Sequence, residues 1–282
     1  MSNDIQHKKG NVSDIIKMID RANETFVYEI FIPSLGKEVM FREINTSQQQ
    51  RLVKAIIDSP AYNTEFIFAI RNIIKENCTD EAVDIGSLTI FDKMVICMRM
   101  RSMSISNDLD LQFTSPKSEK VITRRIDLND LVKLAVEKIH IEPATIVDEK
   151  GNFQISCSMP SIDDEYGLER ELRDNVESIQ IQNEKELRQT VGQVFTNEIV
   201  KYIKQINIKQ GDAIVEVELK GMSFTDRLAI LAQIPAKVNN QIVDYIDSVS
   251  KEFQKITLVK EEVEGETIEQ RLKIDASFFT VS

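Results

Sequence analysis

Histidine and cysteine are nearly missing from this chain of 282 residues, which holds two of the first and three of the second. General acid–base work and nucleophile activation lean on histidine, so most hydrolytic and transfer mechanisms lose their usual parts. His7 lies in a polar N-terminal stretch, and His140 stands beside an expected strand with no serine or cysteine elbow near it. Cys78, Cys97 and Cys157 are odd in number and widely spaced, which argues against a disulfide framework and against a Cys-x-x-Cys zinc site. Cys97 falls in an apolar helical run and reads as core. Glycine is sparse and scattered as single turn residues, with no Gly-x-x-x-x-Gly-Lys, Gly-x-Gly-x-x-Gly, His-Glu-x-x-His or EF-hand pattern. Long apolar runs are also lacking. Ile67–Ile70 and Met94–Met98 fall far short of the ~20 residues that cross a bilayer. Met1 to Gly10 shows no apolar signal core, so the chain is expected in the cytoplasm where it is made.

What remains is a charged, globular composition. Hydrophobic residues make up 42% and charged residues 29%, enough for a sizeable core and too apolar for disorder. The net charge of −11 repels phosphate, and the nearest basic cluster, Lys117 to Arg125, is interrupted by Glu119 and followed by Asp127 and Asp130. Nucleic acid is therefore not an expected partner. Carboxylates are the one abundant functional group. Asp163-Asp164-Glu165 could hold a hard cation, although adjacent acids at a helix start are favoured by the macrodipole alone. Glu261, Glu262, Glu264, Glu266 and Glu269 crowd the last hairpin, as a surface for a basic partner or as a charge-protected edge.

Periodicity outlines an α+β chain. Residues 1–24 form a polar arm with one amphipathic piece, Val12 to Ile19, able to order on a partner. In residues 25–104, two strand-like runs flank Pro33-Ser-Leu-Gly36, and three amphipathic helices follow. The first helix opens on Thr46-Ser-Gln-Gln49, read as a capping box, with a stripe of Leu52, Val53, Ile56 and Ile57. The others run from Thr64 to Asn77 and from near Thr89. Residues 105–160 read as a loop or linker with a short strand at Leu109 to Phe113, then a strand, a helix from Leu128 to Ile139 and a hairpin around Gly151. A boundary is expected near Met159 to Gly167. Residues 161–205 form a charged helical middle, whose second helix is expected to carry Leu187, Val191, Val194, Phe195, Val200 and Ile203. Residues 206–282 make a smaller α+β unit with a hairpin at Gly211 and a last β pair around Glu264-Gly265. Thr89 to Ile96 and Ser223 to Ile230 share a helix-start pattern. In Ile268 to Phe279 the alternation places Phe278 inside and Phe279 on the polar face, where a partner would account for it. Met100 and Met103, among Arg99 and Arg101, are the other candidate partner contacts.

Ile32-Pro-Ser-Leu-Gly-Lys-Glu-Val-Met-Phe-Arg42, Gln48-Gln-Gln50 with Leu52 and Lys54, Ile73 to Cys78, and Leu88 to Met94 resemble the opening of the baseplate hub and hub-assembly proteins of T-even-like contractile-tailed phages. The resemblance covers residues 28–103 and is suggestive again at Leu272 to Phe279. It implies a non-enzymatic protein that helps build the hub, either resident in the tail baseplate or acting in the host cytoplasm during assembly. Other baseplate and hub proteins would be its partners, with no cofactor and no membrane contact. The hairpin edges and helical seams also admit association with itself. A cytoplasmic chaperone or adaptor unrelated to phage is one rival. A metal-dependent hydrolase using Asp163, Asp164 or Glu165 with remote acids is another.

Overall fold

A computed structural model describes residues 11–58, 64–115, 117–177, 196 and 198–280. Alternation sets its first hairpin. In β1 (Val27–Ile32) and β2 (Lys37–Arg42), Ile30, Ile32, Val39 and Phe41 are buried while Glu29, Lys37 and Glu38 are exposed. Ile30 stands opposite Val39, and Gly36 turns the chain at φ +61°. α1 (Val12–Thr25) precedes this hairpin; α2 (Thr46–Asp58), α3 (Thr64–Asn77) and α4 (Ile90–Ser104) follow it. The hairpin and these last three helices share one core that includes Leu52, Ile70, Ile73, Val95 and Met98.

Helix α4 is the spine of this unit, and polar groups fix both of its ends. Asp92, fully buried, accepts from Thr89 N at 2.8 Å and Thr89 Oγ1 at 2.7 Å, closing a capping box. Its other oxygen accepts from Ser34 N at 2.9 Å, at the hairpin tip. At the far end Ser104 Oγ accepts from Ile44 N at 2.8 Å, just past β2. A 15-residue helix and six-residue strands are each about 20 Å long, so the hairpin lies along α4 with both ends tied.

The start of α6 (Ile162–Glu177) is stapled to the start of α4. Ile90 N donates to Pro160 O at 3.0 Å and Ile162 N to Leu88 O at 2.7 Å, around a Thr89–Ser161 bridge. The stretch expected to mark a boundary is thus anchored to the N-terminal unit, with Ile162 in its core.

A second core lies under a four-stranded antiparallel sheet ordered β5 (Ala144–Val147), β6 (Phe153–Cys157), β7 (Ile203–Gln210), β8 (Ala213–Val217). Ile146, Ile155 and Ile206 pack with Ile234, at the end of α7 (Phe224–Gln233), and with Val238 and Ile242 of α8 (Ala236–Thr257). The sheet joins segments from either side of the charged middle, so residues that sequence segmentation separates share one layer. Of the expected second charged helix, Leu187, Val191, Val194 and Phe195 lie outside the described residues, Val200 is helical, and Ile203 instead opens β7, where pairing with Cys157 extends the chain. α8 serves both cores. Its start fills the second, while Ile256 enters the first and Phe253 meets Phe91 edge-on at 5.9 Å.

Several expectations change. Residues 106–120 are mostly not a linker: β3 (Asp108–Thr114) pairs with β4 (Val121–Asp127) ahead of α5 (Leu128–Lys138). The capping pair of α2 lies one residue earlier than expected, because Asn45 and Gln48 exchange side-chain bonds to each other's amides at 2.9 and 3.1 Å. The last strand is shorter than its alternation suggests. β9 (Leu258–Val263) and β10 (Glu266–Arg271) join at Glu264-Gly265, where both φ are positive as a type I′ turn requires. Beyond Arg271, Asp275 caps a 3-10 turn by accepting from Ser277 N and Phe278 N. That turn sends both aromatic rings inward. Phe279 is 1% exposed, 5.2 Å from Phe278 and 6.4 Å from Phe66, and Gln49 Nε2 holds its carbonyl at 3.2 Å. Arg101 stacks over Phe278 at 5.4 Å.

Thr89/Asp92 and Ser223/Asp226 share one motif in two settings, buried and exposed. Asp92→Ala should cost about 3 kcal/mol by stranding buried donors, and Asp226→Ala less than about 1 kcal/mol as an exposed helix-start charge. Urea melts of the two variants test this, and equal losses would contradict it. Phe279→Ala should cost about 3 kcal/mol in the same assay, as a buried ring does; a loss near zero would restore it to the surface.

Candidate protein-binding surfaces

The acidic cluster is best judged by what each acid faces. Asp163, Asp164 and Glu165 occupy the first turn of α6 and diverge. Arg71 takes Asp163 at 2.6 Å, and a Cβ on Gly86 would collide with that carboxylate. Lys93 takes Glu165. Lys204 and Lys220 take Asp164 at 2.6 and 2.8 Å, and Ser161 completes its cap. Burial would raise the Asp164 pKa, but the hydrogen bonds from both lysines and from the Ser161 amide outweigh it. The carboxyl stays well below its usual range. Three acids turned to four separate cations do not form a ligand set, and no group of three or more His, Cys, Asp or Glu able to hold a metal occurs among the described residues.

The neighbouring cleft, about 690 Å³ between α6, β7 and α7, is lined by paired charges. Glu171 meets Arg227 at 2.5 Å. Lys201 meets Glu169 at 3.3 Å and Glu198 at 2.6 Å, and although burial would lower its pKa, these carboxylates raise it. Three acids of the last hairpin are met in the same way by side chains of the β3–β4 hairpin. Arg124 meets Glu261, Lys117 meets Glu266 at 2.6 Å, and Ser115 and Ser118 bond Glu264. Hydrogen bonds from those serines, Ser118 foremost, hold Glu264 below the usual carboxylate range.

The described fold also leaves apolar groups uncovered. α1 starts at Asn11, whose side chain accepts from Asp14 N at 2.8 Å. Its stripe of Val12, Ile15, Ile16 and Ile19, with Met18 beside it, is exposed throughout, Val12 by 73%. On α2, Leu52 and Ala55 enter the core, but Val53 and Ile57 are 37% and 73% exposed. They border a groove of about 410 Å³ with Gln49, Lys54, Phe279 and Thr280. The third surface is the outer edge of the four-stranded sheet. β8 follows a two-residue turn with Gly211 at φ +63°, which makes Gln210 and Ala213 a hydrogen-bonded pair. By alternation the amides and carbonyls of Ile214 and Glu216 then point away from the sheet. Ile214 is 66% exposed.

Of the residues expected to touch a partner, Met100 and Phe279 are buried in the first core, and that expectation is corrected for both. Met100 falls on the inner side of α4, and Phe279 is turned in by the 3-10 turn. Met103 is half-buried and packs against the same core. The exposed residues Val53 and Ile57 stood in a legible stripe, but helical spacing does not say which half of a stripe is covered. That β8 is an edge follows only from sheet order.

Asp164 carries a pH signature. Its depressed folded-state pKa contributes stability above the unfolded value, lost as pH falls below about 4. With Lys220 largely exposed, Asp164→Asn should cost about 1 to 2 kcal/mol at pH 7 after allowance for screening. Urea melts at several pH values should show the gap closing toward pH 2.5; a pH-independent gap would assign the loss to packing.

Comparisons with known proteins bear on what such surfaces serve. No curated protein matches the chain, and no solved structure does. A family model described as T4 bacteriophage base plate protein matches residues 24–257, from the end of α1 through α8. The chain belongs to that family of phage baseplate proteins.

Proposed function

We propose that this baseplate protein helps build the central hub of a contractile tail by binding other hub proteins through the open edge of β8. The observation that carries the reading is that edge, with its outward backbone groups and Ile214 in solvent. A partner strand added there would extend the sheet, gaining main-chain hydrogen bonds for affinity. Asp212, Glu216 and Glu218 are exposed along it, so the matching strand carries basic residues. The resemblance of residues 28–103 to hub and hub-assembly proteins supports the choice of hub within the baseplate. Membership of the baseplate family tells against an adaptor unrelated to phage. The protein acts by contact and catalyses no reaction. Its place is the tail baseplate or the assembly pathway that leads to it. Among the described residues, no helix is long and apolar enough to cross a membrane.

Ile214→Pro tests the edge with little disturbance inside the chain, because the amide it removes points outward and proline keeps an extended backbone. The variant should melt within a few degrees of the wild type. It should lose co-purification with the co-expressed hub proteins of its phage, and phage carrying it should yield tails without a complete hub. Unchanged capture and normal tails would overturn the reading.

A further inference from the structure

The chain carries both halves of a second apolar contact and closes neither. α1 offers a stripe of Val12, Ile15, Ile16 and Ile19 on a 14-residue helix. α2, 13 residues long, offers the groove along Val53 and Ile57. The two are matched in length. Asp14 borders the stripe, while Lys54 is the one charged residue lining the groove among the described residues. The polar side of α1 mixes Asp14 with Lys17 and Arg21, so it lacks the cationic face that an anionic bilayer selects. Within one chain the contact is not made, since every described α1 side chain is exposed.

We infer that α1 is an exchange arm that docks its apolar stripe in the α2 groove of a second copy of this chain. Connectivity favours a reciprocal exchange. Val27 pairs with Arg42, so α1, separated from β1 by one residue, and α2, separated from Arg42 by three, leave the same end of the hairpin. Arm and groove therefore share one end of each molecule, and a single two-fold axis satisfies both contacts at once. Phe26, the lone residue between α1 and β1, is the hinge, and it is exposed. Helix-in-groove docking of this kind covers the four stripe residues and the Val53–Ile57 wall together. The contact is independent of the β8 edge, so either can fail while the other holds.

Light scattering on the full chain tests the exchange. The wild type should reach twice the mass of one chain as concentration rises. Ile16→Asp/Ile19→Asp, which disables the arm, should stay at one mass, and so should Val53→Asp/Ile57→Asp, which disables the groove. Mixing the two variants should restore a 1:1 dimer, because one intact arm then meets one intact groove. Lys54→Glu, a surface charge reversal that leaves the core alone, should weaken the wild-type dimer about tenfold, which keeps the test alive if an aspartate variant misfolds. A wild type that stays at one mass at every concentration would overturn the proposal, including the case of an arm that closes on its own groove. A wild-type dimer whose two variants do not complement each other would overturn it as well, since that is the signature of arms pairing with arms.

Discussion

One buried carboxylate organises the N-terminal half. Asp92 caps the helix that carries it and holds the tip of the β1–β2 hairpin through Ser34, with no solvent to share the task. A buried charge is tolerated only when its lone pairs are filled, so Thr89 and Ser34 are as necessary as the acid itself. With that point set, the hairpin lies along α4, Ser104 secures the other end, and α2 and α3 have a surface to cover. The adjoining Thr89–Ser161 bridge places α6 in turn. The first core is thus located by polar groups and filled by apolar ones.

Within a net charge of −11, the two acid clusters that stand out in the sequence are met by cations of other elements. The acids of α6 meet Arg71, Lys93, Lys204 and Lys220; those of the last hairpin meet Lys117, Arg124 and Lys260. Most of these pairs are at least partly exposed and weak singly. Their effect is to neutralise those two clusters, so that exposed apolar groups stand beside the remaining acids as features of the outer surface. Specific contacts in a crowded assembly then rest on shape and backbone pairing, with charge choosing among partners.

Local structure was legible wherever a short pattern has one physical solution. Thr89 with Asp92, Ser223 with Asp226, Gly211, and Glu264 with Gly265 mark helix starts and turns that occur where their chemistry puts them. Reading faltered where distance along the chain decides. Phe279 follows five alternating positions, yet Asp275 ends the extended run and Phe66, over two hundred residues earlier, receives the ring. Met100 and Met103 look alike in sequence and differ by one helical step toward the core. Asn45 capped α2 although Thr46 was the more obvious candidate, because Gln48 is buried against Asn77 and reaches back only to residue 45. Of the binding surfaces, the amphipathic arm was visible early. The groove and the sheet edge were not, since each is defined by what other elements leave uncovered.

The order in which the chain visits its two cores has a consequence for how it acquires its structure. The sheet cannot form until the segment containing β7 and β8 exists to meet β5 and β6. The first core, largely drawn from residues 30–139, stays open until Ile256, Leu272, Phe278 and Phe279 arrive. Both cores therefore wait on distant segments, and loop closure must precede the gain from packing. A chain emerging during synthesis presents an unfilled apolar face next to Phe66 for most of its length. Until residue 279 has docked, that face is exposed to association with other incomplete chains, so the final aromatic pair acts as the stopper that ends this exposure.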